Sequence, residues 1–354
     1  MTFLLASGLF LWALPSCSDS TSTGADTGLT LQDTDSTDTG DSGTATDTVD
    51  TVSPCTVAVS DTEPQESEED VFWRAPLQVW FDGSFQDLEK PVFGLVSETA
   101  GESVPLTETW DAGEDSVVLE PAAPLTPDTA YALSIEACGQ TWSVPFSTSV
   151  YGTPVTEGAS SLLDRTWVLE TGKVCWTQPE GAAELLGTFF TEPLLVGVQE
   201  VRGDIIDLLV GIGGFTDLEG FQQLVGQGTW DLLDVDLSQG AWFQGVADQI
   251  VFSYGGVDIP VHDFGLQGTF APDGSVIEGA SVAGLVDTRN ISLLFNLDQP
   301  DFICTTYARD YGLECTLCPD DELLCLDLAG EDVTLEEQPG LTLERNDLSE
   351  DGDN

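Results

Sequence analysis

The sequence is poor in positive charge. Its 354 residues include 8 lysines and arginines against 63 aspartates and glutamates, a formal net charge of −55. Proteins that bind nucleic acid neutralise phosphates with lysine and arginine, so a chain this acidic excludes nucleic acid as a partner. A basic patch that would hold the protein on a membrane surface is excluded for the same reason. The hydrophobic content of 41% still suffices for folded domains.

Histidine is scarce as well, which limits catalysis. The one histidine, His262, would have to serve in any Ser-His-Asp or Cys-His apparatus. It lies in an alternating strand pattern beside Asp263, which favours a structural role. Nucleophile-elbow, P-loop and dinucleotide-binding patterns are absent from the sequence. We therefore predict no catalytic residue, no bound metal and no cofactor.

The apolar run at the N-terminus is too short to span a membrane. Phe3–Leu14 has 12 residues, whereas a transmembrane helix needs about 20. The run suits the apolar region of a signal peptide. The residues that follow, Leu14-Pro-Ser-Cys17, resemble the bacterial lipobox. This resemblance implies a signal peptide over residues 1–16, a lipid anchor on the Cys17 thiol, and an outer-membrane location with the chain facing the periplasm or the cell surface.

Residues 17–53 consist almost wholly of Ser, Thr, Asp, Gly and Ala. Such a segment buries too little apolar surface to offset the entropy of ordering, so we predict a disordered tether. Asp33–Asp38 has the carboxylates of a calcium loop but lacks its turn glycine and closing glutamate. We expect weak calcium binding there at most.

Residues 54–150 contain seven short segments rich in β-branched and aromatic residues, which predict a β-sandwich. Leu125–Tyr131 (LTPDTAY) and Phe146–Thr148 (FST) resemble the approach to strand F and the last strand of fibronectin-III-like and bacterial S-layer (SbsA-like) Ig-like domains. The resemblance implies an Ig-like spacer or adhesion module in which Tyr131 forms the tyrosine corner. Trp80 is predicted to fill the core, as buried tryptophan often does in such sandwiches.

Residues 151–335 contain about eight further strand segments, which predict a larger antiparallel barrel or a second sandwich. The apolar positions change parity at His262-Asp263, which indicates a β-bulge. Ala182–Leu186 is predicted to form a helical turn, and the acidic residues 336–354 are expected to fray. Leu266–Arg289, followed by the late cysteines, resembles a domain of uncharacterised bacterial surface lipoproteins, and this resemblance implies no activity.

The eight cysteines fall into three groups. With Cys17 carrying lipid, seven remain, so one is left over. Cys55 opens the first strand of the predicted sandwich and Cys138 closes strand F. In an Ig-like sandwich those points lie at the same end, so a disulfide between them is reasonable.

The other cysteines are Cys175 and a cluster near the C-terminus. In that cluster a zinc site and a redox-active pair are open alternatives, but export favours structural disulfides. We predict the pairs Cys304–Cys315 and Cys318–Cys325, which leaves Cys175 as the free thiol.

Together these features predict an all-β, lipid-anchored envelope protein with a non-enzymatic role in binding, adhesion or envelope architecture. Its expected partners are the membrane, through the anchor, and an envelope or extracellular protein or glycan. One alternative is a carbohydrate-active hydrolase with two carboxylates in a cleft of the distal domain. A second is a carrier of apolar ligands inside a barrel.

Overall fold

The computed structural model describes residues 55–179, 191–216, 220–308 and 313–346. Several predictions fall outside these residues: the signal peptide, the lipid anchor at Cys17, the tether with its calcium-like Asp33–Asp38, and the helical turn at Ala182–Leu186. Among the described residues, no helix is long and apolar enough to cross a membrane.

The first unit (residues 55–150) is built of nine strands. They are β1 (Val59–Glu63), β2 (Glu68–Val71), β3 (Leu77–Phe81), β4 (Val92–Ser97), β5 (Ser103–Val104), β6 (Leu106–Trp110), β7 (Ser116–Pro121), β8 (Ala130–Ala137) and β9 (Gln140–Thr148). One sheet has the order β1-β3-β7-β6 and the other β2-β9-β8-β4-β5. Every pair is antiparallel except β2 with β9. The predicted sandwich of two sheets is confirmed.

The core of the first unit follows from alternation along its strands. In β3 the side chains of Leu77, Val79 and Phe81 are buried, because successive residues of a strand point to opposite faces. Trp80 points the other way and is half-buried on the outer face. The prediction that Trp80 fills the core is therefore wrong, since its apolar neighbours already set the inward parity of this strand.

The second unit (residues 151–346) forms one ten-stranded antiparallel sheet. Its strands are β10 (Thr166–Leu169), β11 (Cys175–Gln178), β12 (Leu194–Arg202), β13 (Ile205–Phe215), β14 (Phe221–Gln223), β15 (Thr229–Asp236), β16 (Trp242–Tyr254), β17 (Val257–Phe270), β18 (Val276–Asp287) and β19 (Cys325–Glu337). Their order is β14-β13-β12-β10-β19-β18-β17-β16, with β15 added to β13 and β11 to β19. Short helical segments lie at Ala159–Leu162, Thr171–Lys173, Ile291–Leu294 and Ile303–Tyr307.

This sheet curls around its own core without closing. Gly245 of β16 lies so near Leu232 of β15 that an added Cβ would come within 2.9 Å of its side chain. No ladder joins these two strands among the described residues, so the sheet stays open at this seam. Large aromatic side chains fill the inside, with Phe243, Phe264 and Phe270 all at most 2% exposed.

The predicted bulge at His262-Asp263 is confirmed. β17 runs as a single strand through this point, but its pairing with β18 shifts between His262 and Gly265. Asp263 adopts a φ of 49°, a conformation that aspartate tolerates better than most residues. The bulge returns Phe264 and Leu266 to the buried face, which explains the change of parity in the sequence.

The fraying expected of residues 336–354 is not found at residues 336–346, and residues 347–354 lie outside the described residues. β19 continues to Glu337, and Leu343, 2% exposed, packs against Val168, Leu195 and Leu209 on the outer face of the sheet. The acidic composition of this segment gives no sign of this packing, because two leucines, Leu341 and Leu343, cover an apolar patch that would otherwise face water.

Candidate functional site

Three disulfides join the pairs that the sequence analysis named. Cys55 is bonded to Cys138 with a Cα–Cα distance of 5.1 Å. The pairs Cys304–Cys315 and Cys318–Cys325 staple the end of the second unit, with Cα–Cα distances of 5.7 and 5.1 Å. No group of three or more His, Cys, Asp or Glu side chains within the described ranges is placed to hold a metal ion.

Cys175 requires a correction. It was predicted to be the free thiol, but in the structure it is disulfide-bonded, and none of the cysteines in the described ranges is free. The prediction removed Cys17 from the count as the lipid carrier. Since six other cysteines form the three pairs above, Cys17 is the only cysteine left in the sequence as an intramolecular partner, so such a disulfide and a lipid on the Cys17 thiol exclude each other.

Tyr131 makes the contact expected of a tyrosine corner. Its ring is 2% exposed and stacks on Phe146 with ring centroids 5.7 Å apart. Its hydroxyl accepts a hydrogen bond from the backbone N–H of Thr126 at 2.8 Å. The side chain thus ties the connection before β8 to the core of the first unit.

His262 belongs to a cluster of charged side chains near the disulfides of the second unit. Its Nε2 lies 3.7 Å from Oδ2 of Asp287, whose side chain is 8% exposed. Arg289 donates to both oxygens of Asp287 and reaches Asp320 at 2.5 Å. Asp320 lies between Cys318 and Cys325, so the arginine joins the end of β18 to the disulfide loop.

The acidity of Asp287 reflects this pairing. Burial alone raises its pKa, but the hydrogen bonds and the charge of Arg289 outweigh burial and bring the pKa below its usual value. The same contacts raise the pKa of Arg289. Asp287 and Arg289 thus stabilise each other's charged form, which favours a structural role for this cluster.

A cleft of about 610 Å³ lies where the two units meet. From the first unit it receives Phe72 and Arg74, just after β2, and Tyr151 lines it from the junction between the two units. From the second unit it receives residues of four adjacent strands, β16 to β19, including Trp242 of β16 and Gln267 of β17. The period-2 alternation of these strands buries the neighbours of Trp242 and Gln267 and leaves both half-buried on the outer face.

Arg74 connects the two units through tryptophan faces. Its guanidinium carbon lies 4.5 Å from the ring centroid of Trp73 and 3.9 Å from that of Trp242, within cation–π range. One terminal nitrogen donates to Gln239 at 3.3 Å, whereas its Nε is buried without an acceptor. Burial lowers the pKa of Arg74.

Arg74 also differs from the other cations of the chain. Seven of the eight lysines and arginines lie in the described part of the chain, and six of these seven pair with carboxylates. The paired ones are Lys90, Arg165, Lys173, Arg202, Arg289 and Arg345. Arg74 makes no ion pair with any described residue, so its charge is met by two aromatic rings and the amide oxygen of Gln239.

Further contacts fix the cleft from both sides. The hydroxyl of Tyr151 donates to Glu278 of β18 at 3.4 Å, and Thr334 of β19 donates to the other oxygen of the same carboxylate at 2.9 Å. The contact with Glu278 and burial both raise the pKa of Tyr151, burial being the larger cause. The ring of Phe72 lies flush on Gly279, where an added Cβ would come within 2.4 Å of it.

The sequence analysis did not single out this cleft. Its signal in the sequence was Phe72-Trp-Arg74, two aromatic residues beside a rare cation, immediately after an acidic strand. Trp242 lies more than 160 residues from Arg74 in the sequence, and Glu278 lies 127 residues from Tyr151. Nothing local in the sequence indicates that either pair meets.

No protein-family model matches the chain, and no curated protein matches it. Among solved structures, it is similar to a DUF4784 family protein from Bacteroides caccae, with a TM-score of 0.18, 8% identity, and coverage of 65% of this chain and 77% of that one. It is also similar to an uncharacterised Listeria monocytogenes protein solved with α-D-glucose, β-D-glucose, magnesium and calcium, with a TM-score of 0.17, 8% identity, and coverage of 62% of this chain and 20% of that one. Similarity this weak says nothing about fold or ligand here, and the resemblance to Ig-like and lipoprotein families stays a prediction.

Proposed function

We propose that this chain is a lipid-anchored bacterial envelope protein that binds a ligand in the cleft between its two β-rich units, without catalysing a reaction. The observation that carries the proposal is Arg74, which makes no ion pair with a described residue, lies between Trp73 and Trp242, and lines a cleft of about 610 Å³. Specific small-ligand sites are typically concave, aromatic-lined and supplied with a few polar groups, and often lie between domains.

The position of the chain in the cell is the second part of the proposal. The apolar run, the lipobox-like Leu14–Cys17 and the tether of residues 17–53 support attachment to the outer membrane through Cys17. The anchor requires the Cys17 thiol to bond to lipid instead of to a second cysteine. A tether of this length has a flexible-coil span of roughly 30–35 Å, which would lift the cleft off the lipid surface towards an envelope or extracellular protein or glycan.

Metabolic labelling with palmitate tests the anchor. The full chain, expressed in an outer-membrane bacterium, should incorporate label and fractionate with membranes. Cys17→Ser should lose both properties, and Ser18→Ala should keep both. An unlabelled wild-type protein would overturn the anchoring part of the proposal.

A carbohydrate-active hydrolase is the second candidate, because Asp70, Glu278 and Glu331 all line the cleft. Glu278 already accepts hydrogen bonds from Tyr151 and Thr334, which favours a structural use of this carboxylate. Release of reducing ends from polysaccharides by the purified protein, abolished by Asp70→Asn or Glu331→Gln, would establish the hydrolase instead. The third expectation, an apolar-ligand carrier, finds no support in the second unit, because aromatic side chains fill the inside of its sheet.

A further inference from the structure

The cleft contains polar side chains that the described protein does not use. Asp70, Gln267 and Glu331 line it, and their side chains make no hydrogen bond or ion pair with any described residue. Nη1 of Arg74 likewise has no hydrogen-bond partner among the described residues. Carboxylates only accept hydrogen bonds, a guanidinium only donates them, and an amide does both. A ligand hydroxyl, which both donates and accepts, fits this mixture of groups.

Aromatic rings supply the apolar part of the same cleft. Phe72, Tyr151 and Trp242 are each half-buried, so part of every ring stays uncovered. Ring faces carry a partial negative charge and therefore favour the weakly positive C–H groups on the flat face of a pyranose. A purely apolar ligand would leave the surrounding carboxylates and amide without partners.

The charge of the cleft argues against ionic ligands. Three carboxylates, Asp70, Glu278 and Glu331, share it with one guanidinium, in a chain of net charge −55. Charges within about 8 Å interact strongly at physiological salt, so phosphate, sulfate and uronate groups are repelled. A cationic ligand finds the position between Trp73 and Trp242 already taken by Arg74.

We infer that the cleft binds a neutral, hydroxyl-rich carbohydrate, with sugar faces on its aromatic rings and hydroxyl groups on Asp70, Gln267 and Arg74. This inference rests on the proposed binding function and names the ligand class for the same site. The volume of about 610 Å³ lies within the usual 300–1,000 Å³ of small-ligand pockets.

Affinity electrophoresis of the purified full chain tests the inference. Native gels carry dextran, xylan or glucomannan as neutral polysaccharides, polygalacturonate as an anionic one and chitosan as a cationic one. At least one neutral polysaccharide should retard the protein, and polygalacturonate should not. Chitosan is cationic and attracts an acidic protein whatever its cleft binds. If it retards all variants equally, that retardation is an effect of net charge and is not binding in the cleft.

Two variants locate the binding. Trp242→Ala should abolish the retardation, but it also removes a ring stacked on Arg74 and could disturb the contact between the units. Gln267→Ala removes a side chain without a described hydrogen bond, so it should fold normally and weaken binding by about tenfold. Phe215→Ala is the matched control, because Phe215 is an aromatic residue 67% exposed on the same unit, away from the cleft; it should bind like the wild type.

The outcomes separate this inference from the proposed function. Retardation by a neutral polysaccharide that Gln267→Ala weakens and Phe215→Ala leaves intact supports the inference. Retardation only by polygalacturonate, none in any gel, or equal retardation of wild type, Trp242→Ala and Gln267→Ala would overturn the inference. If palmitate labelling is positive in that case and an envelope protein is captured in a Trp242-dependent manner, the proposed function stands and only the ligand class is wrong.

Discussion

Gly279 is the position at which one added methyl group tests the contact between the two units. It lies in β18 with a φ of 54°, where the pairing with β19 is irregular. A Cβ built there would come within 2.4–2.8 Å of three ring atoms of Phe72, closer than carbon atoms approach in folded proteins. Gly279→Ala must therefore displace the ring and also adopt a left-handed backbone.

The two costs can be separated by a matched glycine. Gly203, in the turn between β12 and β13, has a φ of 70° and nothing within 4 Å of an added Cβ. Gly203→Ala should lower the free energy of unfolding only by the backbone cost, roughly 1–2 kcal/mol. Gly279→Ala should carry that cost and an overpacking cost of about 1–3 kcal/mol against Phe72.

Urea denaturation followed by tryptophan fluorescence measures these differences, since the chain has 9 tryptophans. In a double-mutant cycle, Phe72→Ala should relieve the overpacking, so Gly279→Ala costs about 1–3 kcal/mol less in that background. Equal losses for Gly279→Ala and Gly203→Ala, or no coupling with Phe72→Ala, would refute this account of the interface.

Three further predictions concern the two units separately. Tyr131→Phe leaves a backbone N–H of the first unit without its acceptor and should lower the free energy of unfolding by about 1–2 kcal/mol in urea titrations; an unchanged midpoint would contradict the tyrosine-corner role. Joint replacement of Cys55 and Cys138 by serine removes a disulfide with a sequence separation of 83. The chain-entropy model then gives a loss of about 4–5 kcal/mol in the free energy of unfolding. Calorimetry should show a lower Tm, and an unchanged Tm would contradict a stabilising role for this disulfide. Asp287→Asn removes the main partner of Arg289 and should cost about 1–3 kcal/mol at neutral pH, since Arg289 is partly exposed. Because the pKa of Asp287 lies below its usual value, this stabilisation is complete above about pH 4 and is lost as the pH falls further; the stabilities of the two proteins should converge on acidification, and a constant difference down to pH 2 would contradict the pairing.

The parts of the fold that follow from local patterns could be predicted from the sequence. Alternating apolar residues indicated the strands of both units, and the parity change at His262-Asp263 located the bulge, because a strand with one buried face must keep its register. Two of the three disulfide pairs, Cys304–Cys315 and Cys318–Cys325, could be predicted because they join cysteines that are neighbours in the sequence. Trp80 shows that residue type alone does not predict burial. A tryptophan suggested a core position, but the alternation of β3 places this side chain on the outer face.

The candidate site was not predicted, because it depends on contacts between residues far apart in the sequence. Arg74 and Trp242 become neighbours only when the first unit packs against the outer face of the strands β16 to β19 of the second unit. This contact depends on how two folded units pack, and sequence periodicity carries no information about it. Leu343 was missed in a similar way, because its burial depends on the exposed apolar patch that it covers.

The scarcity of lysine and arginine affects the susceptibility of the chain to proteolysis. Enzymes of the trypsin type cut after these residues, and the first one in the sequence is Arg74, beyond the whole tether. In the described units, six of the seven cations are held by carboxylates and Arg74 by two indole rings. Since cleavage requires local opening of the chain, enzymes with this specificity have no cleavage site in the predicted tether, whereas exposed side chains such as that of Lys173 offer sites in the folded units. Proteases that cut beside aspartate or glutamate would instead have cleavage sites along most of the predicted tether.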